Sequence, residues 1–223
     1  MQKYVVIVAG GSGTRMKREI PKQFIPIGGK PILMHTLQAF YEAVPGIKII
    51  LVLPESQIFG WKSLYGEYGF DIPHEITAGG ETRFHSVKNG LAQIPDEIGL
   101  VAIHDGVRPL VPKAVINSAF AQAETQGNAI AAVALKDSIR WSKGAENKVL
   151  DRSEHQLIQT PQTFQLHLIK AAFQRDYDPA FTDDATVLEA TGTPIHLIEG
   201  SYSNIKITTP EDLIVAEALL NNR

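Results

Sequence analysis

The chain of 223 residues contains no cysteine. That excludes disulfides, thiolate catalysis and zinc held by cysteine, and leaves the redox compartment undetermined. There is no surplus of positive charge either: 21 Lys and Arg stand against 24 Asp and Glu, a formal net charge of −3. A global attraction to nucleic acid or to an anionic membrane is excluded, so any anion site must be local. Long hydrophobic runs are missing as well. After Met1-Gln2-Lys3-Tyr4 the apolar stretch is too short for a signal-peptide core and far too short to span a bilayer, so the expected location is the cytoplasm. The scattered aromatics, Trp141 among them, form no basic-aromatic stripe for single-stranded nucleic acid. His35, His74, His85, His104, His155, His167 and His196 show no metal-ligand spacing, and no Gly-x-Ser-x-Gly nucleophile elbow occurs. Repeats and low-complexity linkers are absent, and residues 1–223 read as one domain.

What is present has the make-up of a soluble globular protein, 44% hydrophobic and 20% charged. Apolar runs predict buried strands at 4–8, 47–53, 100–104, 129–135, 195–198 and 204–207. Helical spacing of Ile32, Leu33, Leu37 and Phe40 predicts a helix over 31–43, and Val115, Ile116, Ala119 and Phe120 predict one over 113–125. Residues 84–91 form another candidate. Thr209-Pro210-Glu211-Asp212 supplies an N-cap, a proline at the first helical position and acids in the first turn of a last helix. Alternating strands and helices imply an α/β fold, Rossmann-like, with a mostly parallel sheet covered by helices on both faces. One segment breaks the rhythm. Ile139-Arg140-Trp141 and Lys148-Val149-Leu150 flank a polar turn, which reads as a projecting β-hairpin that a second subunit could pack against.

The strongest chemical signal is Val8-Ala9-Gly10-Gly11-Ser12-Gly13-Thr14-Arg15-Met16, directly after the first strand. Three glycines in four positions let the backbone turn sharply and present N–H groups to a ligand, for which phosphate is the usual choice. Arg15 adds forked donors and Lys22, in Pro21-Lys22-Gln23, a compact charge, together able to offset charge on a phosphoryl group and its leaving pyrophosphate. Without a ligand the same glycines would make only a tight connection from strand to helix. The P-loop pattern fails here, and the dinucleotide fingerprint fails because Met16 stands where its third glycine belongs. In Ile103-His104-Asp105-Gly106-Val107-Arg108-Pro109 an apolar strand ends in an acid followed by glycine. Beyond the carboxyl end of a strand, Asp105 would face the same cleft as the first loop and could hold Mg²⁺ on phosphates; the plainer reading is a turn cap paired with Arg108. Gly79-Gly80-Glu81-Thr82-Arg83, with Ser86, offers close approach to a base and hydrogen bonds to base or ribose, or else a loop and helix cap. Asp137, Ser138, Arg152, Thr160-Pro161-Gln162, Thr182-Asp183-Asp184 and Asn204-Ile205-Lys206-Ile207 are weak signals one by one, and an acid pair such as Asp183 and Asp184 commonly begins a helix.

Taken in order, these motifs resemble the 2-C-methyl-D-erythritol 4-phosphate cytidylyltransferases of the non-mevalonate isoprenoid route, over nearly the whole chain. The resemblance implies a fold of the nucleotide-diphospho-sugar transferase type. It implies transfer of CMP from CTP to 2-C-methyl-D-erythritol 4-phosphate, Mg²⁺ as cofactor, and a homodimer in which a hairpin arm, about 137–155, helps complete each active site. Carried over by position, Arg15 and Lys22 stabilise the α-phosphate, while Arg152 and Lys206 hold the phosphate of the acceptor. The first loop (Ala9, Gly10, Gly11, Ser12, Gly13, Thr14) with Gly80, Glu81, Arg83, Ser86, Asp105 and Gly106 forms the nucleotide side, and Asp105 is the Mg²⁺ contact. Asp137, Ser138, Thr160, Thr182 and Arg108 belong to the sugar-phosphate pocket. Ser138 stands where that family often has threonine and Gly106 where alanine is common, so polar contact is kept while pocket shape can differ. A ribitol-5-phosphate cytidylyltransferase of the same fold and a non-catalytic nucleotide-binding regulator are the alternatives; retention of the second phosphate clamp speaks against the latter.

Overall fold

The structure is a computed structural model and describes residues 1–11, 20–95 and 97–222. In chain order the elements are β1 (Lys3–Val8), a small ribbon of β2 (Pro26–Ile27) and β3 (Lys30–Pro31), α1 (Ile32–Ala43), β4 (Lys48–Leu53), α2 (Glu55–Glu67), β5 (Glu75–Ala78), α3 (Arg83–Ala92), β6 (Leu100–Asp105), α4 (Lys113–Gln126) and β7 (Asn128–Ala134). There follow β8 (Ile139–Lys143), β9 (Glu146–Leu150), β10 (Gln156–Gln165), α5 (Leu166–Ala172), α6 (Asp184–Glu189), β11 (Leu197–Glu199) and α7 (Pro210–Asn221). Seven strands form one sheet in the order β11-β7-β10-β6-β1-β4-β5. All neighbours are parallel except β10, which runs antiparallel to both β6 and β7.

The central strands are continuous apolar runs because both of their faces are covered. Alternation divides β1 between two cores. Val5 and Ile7 pack with Leu33, Leu37, Phe40, Trp61 and Phe120 from α1, α2 and α4, whereas Tyr4, Val6 and Val8 pack with Phe84, Val87, Ile169 and Val187 from α3, α5 and α6. A third cluster docks α7 through Leu213 and Ala216 on Ile25, Ile27, Ile32 and Ile207. Prolines 31, 54 and 112 immediately precede α1, α2 and α4, their fixed φ turning the chain into each helix.

Two expectations change. Residues 204–207 are not a strand: Asn204 is buried with its amide on the Thr160 carbonyl, 2.8 Å away, and only Ile207 makes a strand-like bond, its N–H on Val107 O at 2.9 Å. The strand near 195–198 begins later, at Leu197. The sheet's longest strand, β10, falls in a segment rich in Gln and Thr and interrupted by Pro161, which removes a donor just where its pairing with β7 shifts between Ile158 and Gln162. The hairpin is as read: among the described residues β8 and β9 pair only with each other, largely exposed.

Candidate active site

Register places Val8 beside Asp105 and Val52 beside Thr77, so the loops after β1, β5 and β6 leave the same edge of the sheet. Between them lies a cleft of about 310 Å³ whose walls include Gly10, Gly11, Lys22, Gly80, Asp105 and Lys206, in the size range and at the strand ends where α/β proteins hold small ligands. The floor is closely fitted. Gly106 N–H donates to Val8 O at 2.8 Å, and a Cβ on Gly106 would sit 2.8 Å from Ala9 Cβ. Gly80 is tighter still, since a Cβ there would lie 2.4 Å from His85 Cβ. The Gly80 N–H donates to Ser86 Oγ at 3.1 Å, and that hydroxyl donates to Thr82 O at 3.0 Å. Thr82 in turn caps α3.

Asp105 is the electrostatic centre. Its carboxylate lies 3.0 Å from Lys206 Nζ, 3.3 Å from Arg108 Nε and 3.6 Å from Arg83 Nε. Burial opposes its charge, but Arg83, Lys206 and Arg108 outweigh that and hold the carboxyl well below the usual carboxylate range. Arg83 also forks onto the buried Asp184 through bonds of 2.8 and 2.6 Å. Burial opposes this charge too; the Asp184 carboxylate overcomes it and raises the guanidinium pKa above its ordinary value. Arg108 Nη1 donates to Asn204 O at 2.8 Å, tying the turn after β6 to the Lys206 segment. Among the described residues that line the cleft, three cations, Lys22, Arg83 and Lys206, stand with two acids, Glu81 and Asp105, in a chain of net negative charge.

Behind the carboxylate, Thr160 Oγ1 accepts from Asp105 N–H at 3.1 Å and bonds His104 Nδ1 at 3.1 Å, while His104 Nε2 meets Arg108 O at 3.2 Å. The carbonyl requires the proton on Nε2, and because burial keeps the ring neutral, Nδ1 is left to accept from the Thr160 hydroxyl. Burial pushes its pKa down to about 3. Thr160 is therefore engaged in the interior, where it secures Asp105 from behind.

The first-loop residues Ser12, Gly13, Thr14 and Arg15 lie outside the described residues. Ala9, Gly10, Gly11, Lys22, Gly80, Glu81, Arg83, Ser86, Asp105 and Lys206 are brought together. Asp137, Ser138 and Arg152 are exposed at the foot of the hairpin, where Arg152 donates to Lys136 O, and Thr182 lies exposed before α6; none of these lines the cleft of its own chain. Sequence reading missed His104 and Gln23 as site supports, and saw Asp184 only as a helix starter. Their side-chain partners Thr160, Gln57 and Arg83 stand far off in sequence, and burial is the signal that would have found them.

A family model for IspD, 2-C-methyl-D-erythritol 4-phosphate cytidylyltransferase, matches residues 3–222. The chain belongs to this family. It is 50% identical to the cytidylyltransferase of that name from Bacteroides fragilis, over 99% of this chain and 100% of the relative, and 44% identical to that of Porphyromonas gingivalis, covering 99% of each. Among solved structures it resembles the 4-diphosphocytidyl-2C-methyl-D-erythritol synthase of Anaerococcus prevotii, with a TM-score of 0.83 and 30% identity over 99% of this chain and 96% of the other. The Francisella tularensis cytidylyltransferase gives 0.81 and 34%, over 98% and 99%. As a 2-C-methyl-D-erythritol 4-phosphate cytidylyltransferase the chain is a nucleotidyltransferase of isoprenoid synthesis, and the cleft is where its cations gather.

Proposed function

We propose that the cleft binds CTP with its triphosphate along Gly10 and Gly11, its cytosine and ribose toward Gly80, Glu81 and Ser86, and the acceptor phosphate toward Lys206 and Arg108. The observation that carries this reading is the meeting of Lys22 and Lys206 across one cleft: Lys22 Nζ donates to Ile207 O, 3.4 Å away, next in sequence to Lys206. The acceptor's phosphate is already an anion at neutral pH and needs no general base. Catalysis is then alignment of two anions in line with departing pyrophosphate, together with neutralisation of the charge that develops. Arg15 and Lys22 neutralise the α-phosphate; Lys206, and Arg152 from the hairpin, hold the nucleophile. His104 is neutral and enclosed, so it positions Asp105 and transfers no proton.

A magnesium ion fits this donor set in one way. Asp105 is an ionised carboxylate in the cleft's floor, Glu81 is the other acid of the lining, and among the described residues no three His, Asp or Glu converge. Such a site suits an ion held chiefly by nucleotide phosphates and water, with Asp105 as its protein contact. When bound, it would offset phosphate charge. The exposed Arg152, Asp137 and Ser138 at the foot of the hairpin support a homodimer in which the arm, about 137–155, reaches a partner's cleft, with 1–223 acting as one domain. No described helix is long and apolar enough to cross a membrane, and we place the enzyme in the cytoplasm. Pyrophosphate release from CTP, measured side by side with 2-C-methyl-D-erythritol 4-phosphate and ribitol 5-phosphate, tests the assignment. Turnover should favour the first by orders of magnitude, and equal or reversed preference would overturn it.

A further inference from the structure

Gln23 follows Lys22 in the 3-10 turn 22–24 and is fully buried beside the cleft it helps to line. Its Nε2 donates to the Ala9 carbonyl at 2.8 Å and to Gln57 Oε1 of α2 at 2.5 Å, while its Oε1 has no hydrogen-bond partner among the described residues. The Ala9 carbonyl is where the β1 ladder ends. Val8 O is taken by Gly106 N–H, and Ala9 N–H goes to Val52 O. A buried carbonyl left unpaired is destabilising; the Gln23 amide supplies the donor that the sheet no longer offers. The same short turn docks on α2 a second time, through Phe24 stacked on Trp61 with centroids 6.0 Å apart.

Because a trans peptide directs its carbonyl and N–H oppositely, anchoring Ala9 O inward on Gln23 turns the Gly10 N–H outward, and Gly10 is exposed on the cleft. Lys22 lies across the same loop: a Cβ on Gly11 would be 3.5 Å from Lys22 Cε. The unpartnered Oε1 is also telling, since an apolar side chain of equal length would avoid it. We propose that Gln23 is a positioning residue for the transfer, its amide locking the Ala9–Gly10 peptide and the Lys22 segment into one unit that meets the nucleotide's phosphates together. The inference rests on the phosphate-binding reading of the first loop.

Gln23→Met removes both donors at similar volume, and Gln23→Glu sets an acceptor against the Ala9 carbonyl. Gln57→Leu, at a half-buried position, loosens the amide from its other side should the first two fail to fold. A misplacement of this kind costs up to about 100-fold in turnover. The expected result for Gln23→Met is a roughly 10- to 100-fold fall in kcat, with Gln57→Leu losing roughly 3- to 10-fold. The KM of the acceptor should stay unchanged and the thermal midpoint close to wild type. By calorimetry, affinity for CTP should fall while affinity for cytidine, which has no phosphate, holds. Wild-type preference for CTP over cytidine tests the phosphate-binding reading by itself. Turnover within threefold of wild type in the folded variants, or equal losses for CTP and cytidine, would overturn the positioning role.

Discussion

Replacing Asp184 by asparagine removes one partner of the buried fork on Arg83. Asp184 is 1% exposed and accepts two guanidinium N–H groups, at 2.8 and 2.6 Å. The amide turns a donor toward a cation and leaves its charge uncompensated, for which broken buried pairs lose about 3–5 kcal/mol. The Arg83 side chain, however, is 33% exposed and keeps Asp105 at 3.6 Å, so water and a second carboxylate soften the loss to about 3 kcal/mol. For a chain of this size that lowers the thermal midpoint by roughly 6–12 °C. Urea unfolding of wild type, Asp184→Asn, Arg83→Met and the double variant Arg83→Met with Asp184→Leu separates two roles. An apolar pair of similar volume needs no compensation, so the double variant should recover to within about 1 kcal/mol of wild type. Its turnover should remain low, because Asp105 has lost one of its three cations. The reasoning fails if Asp184→Asn unfolds within about 0.5 kcal/mol of wild type, or if the double variant is no more stable than Asp184→Asn.

Gly90 is where α3 touches the sheet: a Cβ there would lie 2.5 Å from Val6 Cγ1 and 2.9 Å from Val52 Cγ2. Gly90→Ala should lower unfolding stability by about 1–3 kcal/mol, and denaturant midpoints check it. Acid should destabilise the enzyme before the carboxylates titrate. With the folded His104 pKa down at about 3 against an ordinary 6.5, the unfolded chain binds a proton that the folded chain refuses. That part of the stability is complete above about pH 6.5 and is lost as pH falls toward 3, by at most about 5 kcal/mol. Unfolding free energies between pH 6.5 and 4.5 should fall more steeply for wild type than for His104→Gln; equal slopes would count against a neutral buried imidazole. Lys22→Ala should leave the unfolding midpoint in place and reduce pyrophosphate release by about 10²–10³-fold, and near-normal turnover would remove Lys22 from the chemistry.

Local patterning in the sequence determined a good deal. Apolar runs such as Val5–Val8 are long enough to be buried on both faces, so β1, β4, β6 and β7 emerge with their helices, and the polar turn after Trp141 marks the hairpin. Glycines after β1 and before α3, and the acid at the end of β6, announce a phosphate cleft, because these demands on backbone and charge are met by neighbours in sequence. Features that depend on partners far apart in sequence arise only in the packed fold. The polar strand β10 pairs with β6 and β7 despite its glutamines and Pro161, since its environment and not its own propensity holds it there. Arg83 spans 101 positions to Asp184, Thr160 reaches 55 to Asp105, and Asn204 receives Arg108. Buried polar groups must find partners, yet nothing in a one-dimensional pattern says which ones. The cations around Asp105 are visible as residues in the sequence, but as a single electrostatic unit they exist only after the strand ends are brought together.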